Sequence, residues 1–287
     1  MEIRLAKSAG FCFGVERAVN TVYELLKDES NHPVYTYGPI VHNREVVGDL
    51  ERRGVRVLNT PEEIRGIEKG TIVIRAHGVS EEISRLISSR PGVKCVDATC
   101  PFVQRIHRTV REESLKGRNI IIIGNAGHPE VVGTKGWSVR EAAVIETAEE
   151  AQNCPLDVNE PVCIVAQTTF RATKFEDLVA RLQEKGYNAI CMNTICNATQ
   201  ERQTEAGEIA SKADVMIVIG DPASSNSAKL YEICRRVCER TYFIQRAEDL
   251  NLQLTGTEAL IGITAGASTP KNIIEEVRSH VGSGNEF

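Results

Sequence analysis

A strand-like segment, a cysteine and a helix-like segment follow one another three times along this chain. The cysteines are Cys12, Cys100 and Cys196; the second lies 88 residues after the first, and the third lies 96 residues after the second. An apolar run precedes each cysteine, and a segment with helical spacing follows it. A repeat of this length predicts three similar supersecondary units in one chain.

Two further strands in each unit keep the same order. The first ends in a glycine that lies 26, 24 or 24 residues after the respective cysteine, and a hydrogen-bonding side chain follows four residues later. The second ends in a loop of small and polar residues, and a helix follows it. The side chains in these loops are His42, His128 and Ser224 after the first strand, and His77, Thr168 and Ser268 after the second.

Short apolar strands that alternate with helices predict an α/β fold with small, mostly parallel sheets. We expect three modules: residues 13–97, residues 98–192, and residues 193–287 together with 1–12. Modules this small are marginal alone, so we expect them to pack against one another. Function in such sheets lies in loops at the carboxyl ends of the strands. A pseudo-threefold arrangement would bring the polar loop residues into one central cavity.

Composition is typical of an ordinary globular protein. The chain has 287 residues, a formal net charge of −5 and 41% hydrophobic residues. The mild acidity argues against nucleic-acid binding, which favours a basic face, and no apolar run reaches the length of a membrane-spanning helix. The amino-terminal residues lack a signal-peptide layout, so we expect a cytoplasmic protein. We expect the polar tail from Gly282 to be frayed.

The three repeated cysteines are candidate metal ligands, because a helix N-terminus stabilises a thiolate. Three thiolates fit zinc with water or histidine as the fourth ligand, or an iron–sulfur cluster in which one iron lacks a cysteine. The C-x2-C spacing of zinc modules is absent, which weakens zinc. Taken singly, each cysteine also fits a buried structural thiol. Packing patterns predict core positions for Cys95, Cys163, Cys191, Cys234 and Cys238.

The polar loop residues are candidate ligands of an anion. Short donors just before helices hold phosphates without lysine, and no P-loop motif is present. Taken singly, these residues also fit structural histidines or a solvated loop. The set comprises His42, His77, His128, Ser224, Ser225, Asn226 and Ser268.

Glu130, two residues after His128, is a candidate acid. A carboxyl group in a dry cavity has a raised pKa and can deliver protons. The alternative is an ordinary glutamate in the first turn of a helix, stabilised by the helix dipole. Thr168 is a candidate for orienting a hydroxyl group or relaying a proton.

Five motifs, spread over essentially the whole chain, resemble those of one enzyme family. They are Gly-Phe-Cys-Phe-Gly-Val at 10–15, Asp-Ala-Thr-Cys-Pro at 97–101, Gly-His-Pro-Glu at 127–130, Gln-Thr-Thr at 167–169 and Ser-Ser-Asn-Ser at 224–227. On these motifs the sequence resembles the 4-hydroxy-3-methylbut-2-enyl diphosphate reductase family. Its members catalyse the last step of the methylerythritol phosphate route to isoprenoids.

The resemblance implies a trefoil of three α/β domains around a [4Fe-4S] cluster. Cys12, Cys100 and Cys196 would hold three irons, and the fourth iron, which lacks a cysteine, would take the substrate hydroxyl group. The implied reaction removes an allylic hydroxyl group with two electrons and two protons, giving isopentenyl and dimethylallyl diphosphate. The expected electron donor is a ferredoxin or a flavodoxin.

The resemblance also implies roles for the polar residues. Glu130 would be the proton source, and Thr168 and His128 would complete the catalytic group. The diphosphate would be held by His42, His77, Ser224, Ser225, Asn226 and Ser268, with help from His128 and with Thr168 near the hydroxyl group. Three other functions fit the residues: an iron–sulfur sensor, a zinc-dependent hydrolase or structural zinc protein, and a non-redox cluster dehydratase.

Overall fold

The computed structural model describes residues 1–252 and 257–283, and within this part of the chain twelve strands form three four-stranded sheets. The strands are β1 (Glu2–Leu5), β2 (Val34–Tyr37), β3 (Arg56–Leu58), β4 (Gly70–Ile74), β5 (Val93–Asp97), β6 (Asn119–Ile123), β7 (Ala143–Ile145), β8 (Val162–Ala166), β9 (Ala189–Cys191), β10 (Val215–Ile219), β11 (Thr241–Ile244) and β12 (Leu260–Ala265).

Helices separate the strands. They are α1 (Phe13–Leu26), α2 (Arg44–Arg52), α3 (Pro61–Arg65), α4 (Glu81–Ser88), α5 (Pro101–Leu115), α6 (Pro129–Lys135), α7 (Ala148–Gln152), α8 (Ala172–Glu184), α9 (Asn197–Ala210), α10 (Ser225–Val237) and α11 (Lys271–Ser283), with short 3-10 turns at Glu29–Asn31 and Ala247–Asp249. Among the helices of the described ranges, none has the length and apolar character needed to cross a membrane. Helix α11 continues through the start of the predicted tail, and residues 284–287 of that tail lie outside the described residues.

The three sheets share one strand order, which confirms the predicted α/β fold with parallel sheets. The orders are β3-β2-β4-β5, β7-β6-β8-β9 and β11-β10-β12-β1, and every neighbouring pair is parallel. In the last sheet β1 occupies the edge position that β5 and β9 occupy in the other two. The strand before each repeated cysteine is therefore the same edge strand in all three sheets.

The chain forms two compact units. The first unit contains Met1–Glu16, His42–Val46 and the chain from Asn197 onward, and it holds the sheet of β1, β10, β11 and β12. The second unit contains Arg17–Val41 and Val47–Cys196, and it holds the other two sheets. The boundaries of the three modules stay a prediction.

The central strands are buried on both faces, as parallel strands between helices must be. All five residues of β6, β8 and β10 are buried. In the second unit Ile121 and Ile164 pack with Phe175 of α8, and in the first unit Ile217 and Ile263 pack with residues of α11. These rigid sheets hold the loops at their carboxyl ends, where the candidate residues lie.

One short edge strand of each sheet was missing from the sequence prediction. These strands, β3, β7 and β11, have three or four residues and mixed burial. Helices α3 and α7 follow two of them, and each begins with a capping box, Thr60 with Glu63 and Thr147 with Glu150. The spacing of threonine and glutamate in a capping box is visible in sequence and could have revealed these helices.

Candidate active site

Each repeated cysteine lies directly before a helix, as predicted. Cys12 precedes α1, Cys100 precedes α5 as its N-cap residue, and Cys196 precedes α9. All three are of intermediate burial, and none forms a disulfide. Each lies beside the free N–H groups and the partial positive charge of an N-terminal helix turn.

Most of the other cysteines are packing residues. Cys163 and Cys234 are fully buried, and burial raises the pKa of their thiols to about 11 and about 12, respectively. Cys238 is also buried, and Cys95 packs partly buried against a core cluster. The prediction of a core position for Cys191 is wrong, because this residue ends the edge strand β9 and is exposed.

Each of the three cysteines donates an equivalent backbone hydrogen bond to a neighbouring polar loop. In the first unit the Cys12 N–H donates to the Ala267 carbonyl at 3.2 Å, next to Ser268. In the second unit the same bond runs from Cys100 to Ala76, next to His77, at 3.0 Å.

The third such bond also lies in the second unit. The Cys196 N–H donates to the Thr168 carbonyl at 3.0 Å. The repeat that is visible in sequence therefore extends to backbone hydrogen bonds. Each of the three cysteines is hydrogen-bonded to a loop that contains a candidate ligand.

Glu130 and Thr168 form a buried pair in the second unit. The Thr168 hydroxyl group donates to one carboxylate oxygen of Glu130 at 2.6 Å, and the Thr168 N–H donates to the other at 2.6 Å. Only 3% of Glu130 is exposed, and no lysine or arginine within the described ranges forms an ion pair with it. Burial raises the pKa of Glu130 to about 7, against the lowering effect of the two bonds from Thr168. At neutral pH this carboxyl group is therefore poised between its two protonation states.

His128 caps the helix that carries Glu130. Its Nδ1 atom accepts a hydrogen bond from the Glu130 N–H at 3.2 Å, which leaves Nε2 as the protonated nitrogen of the neutral ring. The ring of His77 meets that of His128 edge-on, with centroids 5.5 Å apart. The second unit thus brings together four of the predicted residues. Glu130 contacts Thr168, His77 contacts His128, and the hydrogen bond from the Glu130 N–H to His128 links the two pairs.

The remaining predicted residues lie in the first unit. Ser224 is the N-cap of α10, with its side chain accepting from the Ser227 N–H at 3.4 Å, and Ser225 and Asn226 begin that helix. The Ser268 hydroxyl group donates to the His42 carbonyl at 2.9 Å, so the loops after β12 and β2 meet here.

Asn226 is the residue of this group whose environment is most informative. It is 4% exposed, and neither its amide oxygen nor its amide nitrogen has a hydrogen-bond partner among the described residues. A buried amide without partners costs free energy. Its position in the first turn of a helix suits a ligand with acceptor oxygens.

Two residues that support these loops were not singled out by sequence reasoning. The Gln167 side chain accepts from the Asn125 N–H at 3.0 Å and so joins the loops after β8 and β6. Asp221, 2% exposed, accepts from the N–H groups of Ala223 at 2.9 Å and Arg44 at 3.1 Å. A Gly-Asp-Pro turn after a buried strand is the signal that could have identified Asp221.

Comparison with known proteins adds the relatives of this chain. A family model described as LytB protein matches residues 3–282. A 4-hydroxy-3-methylbut-2-enyl diphosphate reductase from Caldanaerobacter subterraneus subsp. tengcongensis is 44% identical over 278 residues, 96% of this chain and 95% of the relative. A protein of the same name from Clostridioides difficile is 41% identical over 278 residues, 96% of this chain and 98% of the relative.

Solved structures agree with these relatives. The structure of an (E)-4-hydroxy-3-methyl-but-2-enyl diphosphate reductase, described as the terminal enzyme of the non-mevalonate pathway, has a TM-score of 0.71 at 37% identity and covers 99% of this chain and 100% of that chain. The E-1-hydroxy-2-methyl-but-2-enyl-4-diphosphate reductase from Plasmodium falciparum has a TM-score of 0.88 at 31% identity, covering 96% of this chain and 86% of that chain. With a family model that matches nearly its whole length and relatives of this identity, the chain belongs to the LytB protein family.

Proposed function

We propose that this chain is a reductase that removes the allylic hydroxyl group of 4-hydroxy-3-methylbut-2-enyl diphosphate. Two electrons and two protons convert the substrate into isopentenyl or dimethylallyl diphosphate and one water molecule. The observation that supports this most directly is the buried Glu130 carboxyl group, which has a pKa of about 7 and accepts two hydrogen bonds from Thr168. The names of the relatives in the LytB family support the choice of substrate.

We propose Cys12, Cys100 and Cys196 as ligands of a [4Fe-4S] cluster in which one iron lacks a cysteine. The donor set fits, because all three are half-buried cysteines at helix N-termini and none forms a disulfide, and thiolates are the usual ligands of such clusters. The deeply buried Cys163 and Cys234 fit less well, since burial raises the pKa of their thiols. When bound, the cluster supplies electrons and a Lewis acid for the hydroxyl group.

The proposed diphosphate site is a set of histidine, serine and asparagine side chains. Two observations support it: the buried amide nitrogen of Asn226 has no acceptor among the described residues, and the N-terminal turn of α10 has free N–H groups. Phosphate oxygens can accept from both. The residues we assign to the diphosphate are His42, His77, Ser224, Ser225, Asn226 and Ser268, with His128 in support.

Glu130 is the proposed proton source. In its protonated form it delivers a proton to the substrate, and Thr168 holds the carboxyl group in place and orients the hydroxyl group that leaves. His128 fixes the first turn of the Glu130 helix through its Nδ1 atom. A carboxyl group with a pKa near the working pH suits this role, because it exchanges protons readily in both directions.

The proposed electron donor is a ferredoxin or a flavodoxin, since the sequence contains no flavin or nicotinamide fingerprint of its own. We also propose a cytoplasmic location. All nine cysteines lie in the described ranges and none forms a disulfide, which is usual for cysteines in a reducing compartment.

The test is anaerobic purification followed by iron, zinc and acid-labile sulfide analysis and Mössbauer spectroscopy with and without substrate. We expect iron and sulfide in equal amounts and one distinct iron site whose signal changes when substrate is added. Zinc without sulfide would overturn the cluster. Turnover in the absence of an electron donor would indicate a dehydratase and would overturn the reductase.

A further inference from the structure

Arg17, in the helix that follows Cys12, bonds to the loop that precedes another candidate ligand. Its Nη2 atom donates to the Thr99 carbonyl at 2.5 Å, one residue before Cys100. Thr99 is 3% exposed, and its carbonyl accepts no other hydrogen bond within the described ranges. No carboxylate of those residues lies within ion-pair distance of Arg17. The guanidinium group of Arg17 therefore donates to the Thr99 carbonyl and forms no ion pair with the described residues.

Arg202 makes the equivalent contact in the first unit. It lies in α9, six residues after Cys196, and its Nη2 atom donates to the Gly10 carbonyl at 2.6 Å, two residues before Cys12. Arg202 is only 5% exposed, and its Nη1 atom donates to the Ala198 carbonyl at 3.1 Å within its own helix. Gly10 has a φ of +99°, so the chain turns sharply where the arginine holds it.

The repeat offers a third arginine at the corresponding position. Arg105 lies five residues after Cys100, as Arg17 lies five residues after Cys12. It is exposed, and its side chain makes no hydrogen bond or ion pair with the residues that the structure describes. Arg17 and Arg202 thus donate to carbonyl groups near cysteines, and Arg105 supplies a matched control.

A cation is a strong partner for a buried carbonyl. Hydrogen bonds to charged donors are shorter and stronger than neutral ones, and arginine keeps its charge at every relevant pH. The N–H groups around Cys100 are already bonded, with Thr99 donating to the Asp97 side chain at 2.9 Å and Cys100 donating to Ala76 at 3.0 Å. Arg17 adds a donor for the Thr99 carbonyl, directly before the cysteine.

We infer that Arg17 and Arg202 are positioning residues, Arg17 for the Cys100 loop and Arg202 for the Cys12 loop. The inference rests on the proposed function, since these loops contain the proposed cluster ligands Cys12 and Cys100. Removing either guanidinium leaves a buried carbonyl without its donor and allows the loop to open. The effect is local: each arginine controls one cysteine.

The first experiment uses the metal-free full-length protein and hydrogen–deuterium exchange with peptide-level readout. We expect Arg17→Gln to speed exchange of the peptide that contains Cys100 by about 10-fold, the size expected when a charged hydrogen bond is lost, and to leave the Cys12 peptide unchanged. Arg202→Gln should do the opposite. Arg105→Gln should change neither, and Arg17→Lys, which keeps a charged donor, should restore part of the protection.

Uniformly faster exchange across the chain in both glutamine variants would overturn the inference, because it would mean general destabilisation. So would an Arg17→Gln protein whose Cys100 peptide behaves like that of wild type. Should Arg202→Gln fail to fold, the half-buried Arg17 and its lysine variant decide the question.

The second experiment measures iron and sulfide after anaerobic reconstitution, and then the rate of iron loss to a chelator. We expect iron loss to be about 10-fold faster in Arg17→Gln than in Arg105→Gln. Equal rates would overturn a role in cluster retention. Absence of iron and sulfide from wild type would instead contradict the proposed function, while the exchange pattern would still decide the positioning of the loops.

Discussion

The carboxyl group of Glu130 accepts two hydrogen bonds from one residue and pairs with no cation of the described residues. Both bonds, from the hydroxyl group and the N–H of Thr168, stabilise the charged form, yet burial outweighs them and raises the pKa of Glu130 to about 7. A glutamate in an exposed first turn would instead have an ordinary or lowered pKa. The first-turn alternative therefore describes where Glu130 lies in the helix but not its chemistry.

Replacing this acid tests its role. We expect Glu130→Gln to lower kcat by roughly 10²–10⁴-fold, the usual contribution of a general acid, and to change the KM for the diphosphate substrate little. Glutamine keeps the size and the acceptor oxygen but has no acidic proton. The measurement is steady-state turnover of the reconstituted protein with an artificial reductant. Wild-type turnover in this variant would remove Glu130 from the mechanism.

The raised pKa of Glu130 also predicts a pH dependence of stability. The folded-state pKa of about 7 lies above the reference value of 4.5, so folding favours the protonated form. Relative to Glu130→Gln, wild type keeps its full stability below about pH 4.5 and loses roughly 3 kcal/mol as the pH rises through about 7. Chemical denaturation of both proteins at several pH values checks this, and parallel pH profiles would contradict it. The turnover of wild type should fall as the pH rises through about 7, where Glu130 of the folded protein loses the proton that it delivers.

Asn226 illustrates a residue whose proposed role conflicts with stability. Asn226→Leu removes a buried amide that has no partner among the described residues and should raise Tm. We expect the KM for substrate to rise, because a proposed donor to the diphosphate is lost. Thr264→Val is the control, since Thr264 is fully buried in β12 with an unpartnered hydroxyl group but has no assigned role. It should raise Tm and leave KM unchanged. An unaltered KM in the leucine variant would remove Asn226 from the substrate site.

At the scale of elements, the loop after β4 packs against residues of α5 and residues just beyond α6. Trp137, just beyond α6, donates from Nε1 to the Val79 carbonyl at 2.8 Å, and its ring stacks on His107 of α5 with centroids 5.2 Å apart. Burial lowers the pKa of His107 to about 4, so the ring is neutral at physiological pH. Gly78 has a φ of +72° directly against this ring. The loop that carries His77 is therefore fitted to the surface of two other elements.

A single added methyl group tests this fit. The Cβ atom of Gly78→Ala would lie 2.5 Å from Cε1 of His107, whereas that of Gly54→Ala, at a φ of +94°, meets nothing within 4 Å. Gly54→Ala should cost about 1–2 kcal/mol for its backbone conformation alone. We expect Gly78→Ala to cost more and also to raise KM, because the His77 loop must move. Denaturation curves and KM values of the two variants, if equal, would contradict the tight fit.

At the scale of the molecule, one strand order occurs three times although the chain supplies the third sheet from both of its ends. β1 pairs with β12 in parallel, with Ile3 opposite Ile261 and Leu5 opposite Ile263. Residues far apart in sequence thus share one cooperative sheet. The other two sheets are each built from consecutive strands.

The pairing of β1 with β12 predicts which backbone amides exchange their hydrogens together. Ile263→Ala removes a fully buried side chain of the first unit and should cost about 2–5 kcal/mol. Hydrogen exchange of the β1 peptide should then accelerate with that of β10, whereas the same change at Ile164, equally buried in the second unit, should mainly accelerate β6 and β8. Unchanged exchange in β1 after Ile263→Ala would contradict the shared sheet.

The sequence predicted the parts of this molecule that have a local signature. Buried strands such as β6 and β10 are uninterrupted apolar runs, and glycines and polar loops mark their ends. The short edge strands β3, β7 and β11 escaped prediction because three or four partly exposed residues have no distinctive period. The equally short edge strands β1 and β9 were predicted because each precedes a repeated cysteine. Contacts such as those of Arg17 and Arg202 escaped for another reason: their partners lie 82 and 192 residues away, and nothing local marks them.

The hydrogen bonds from the three cysteines to the polar loops have a consequence for the proposed reductase. The same peptide groups set the position of a proposed metal ligand and of a proposed substrate ligand, as with Cys100 and the carbonyl beside His77. Coupling of this kind is reciprocal, since free energy depends only on the states that are compared. If the cluster and the diphosphate bind as proposed, whatever factor the cluster adds to the affinity for the diphosphate, the diphosphate adds to the retention of the cluster, and we expect substrate to slow cluster loss.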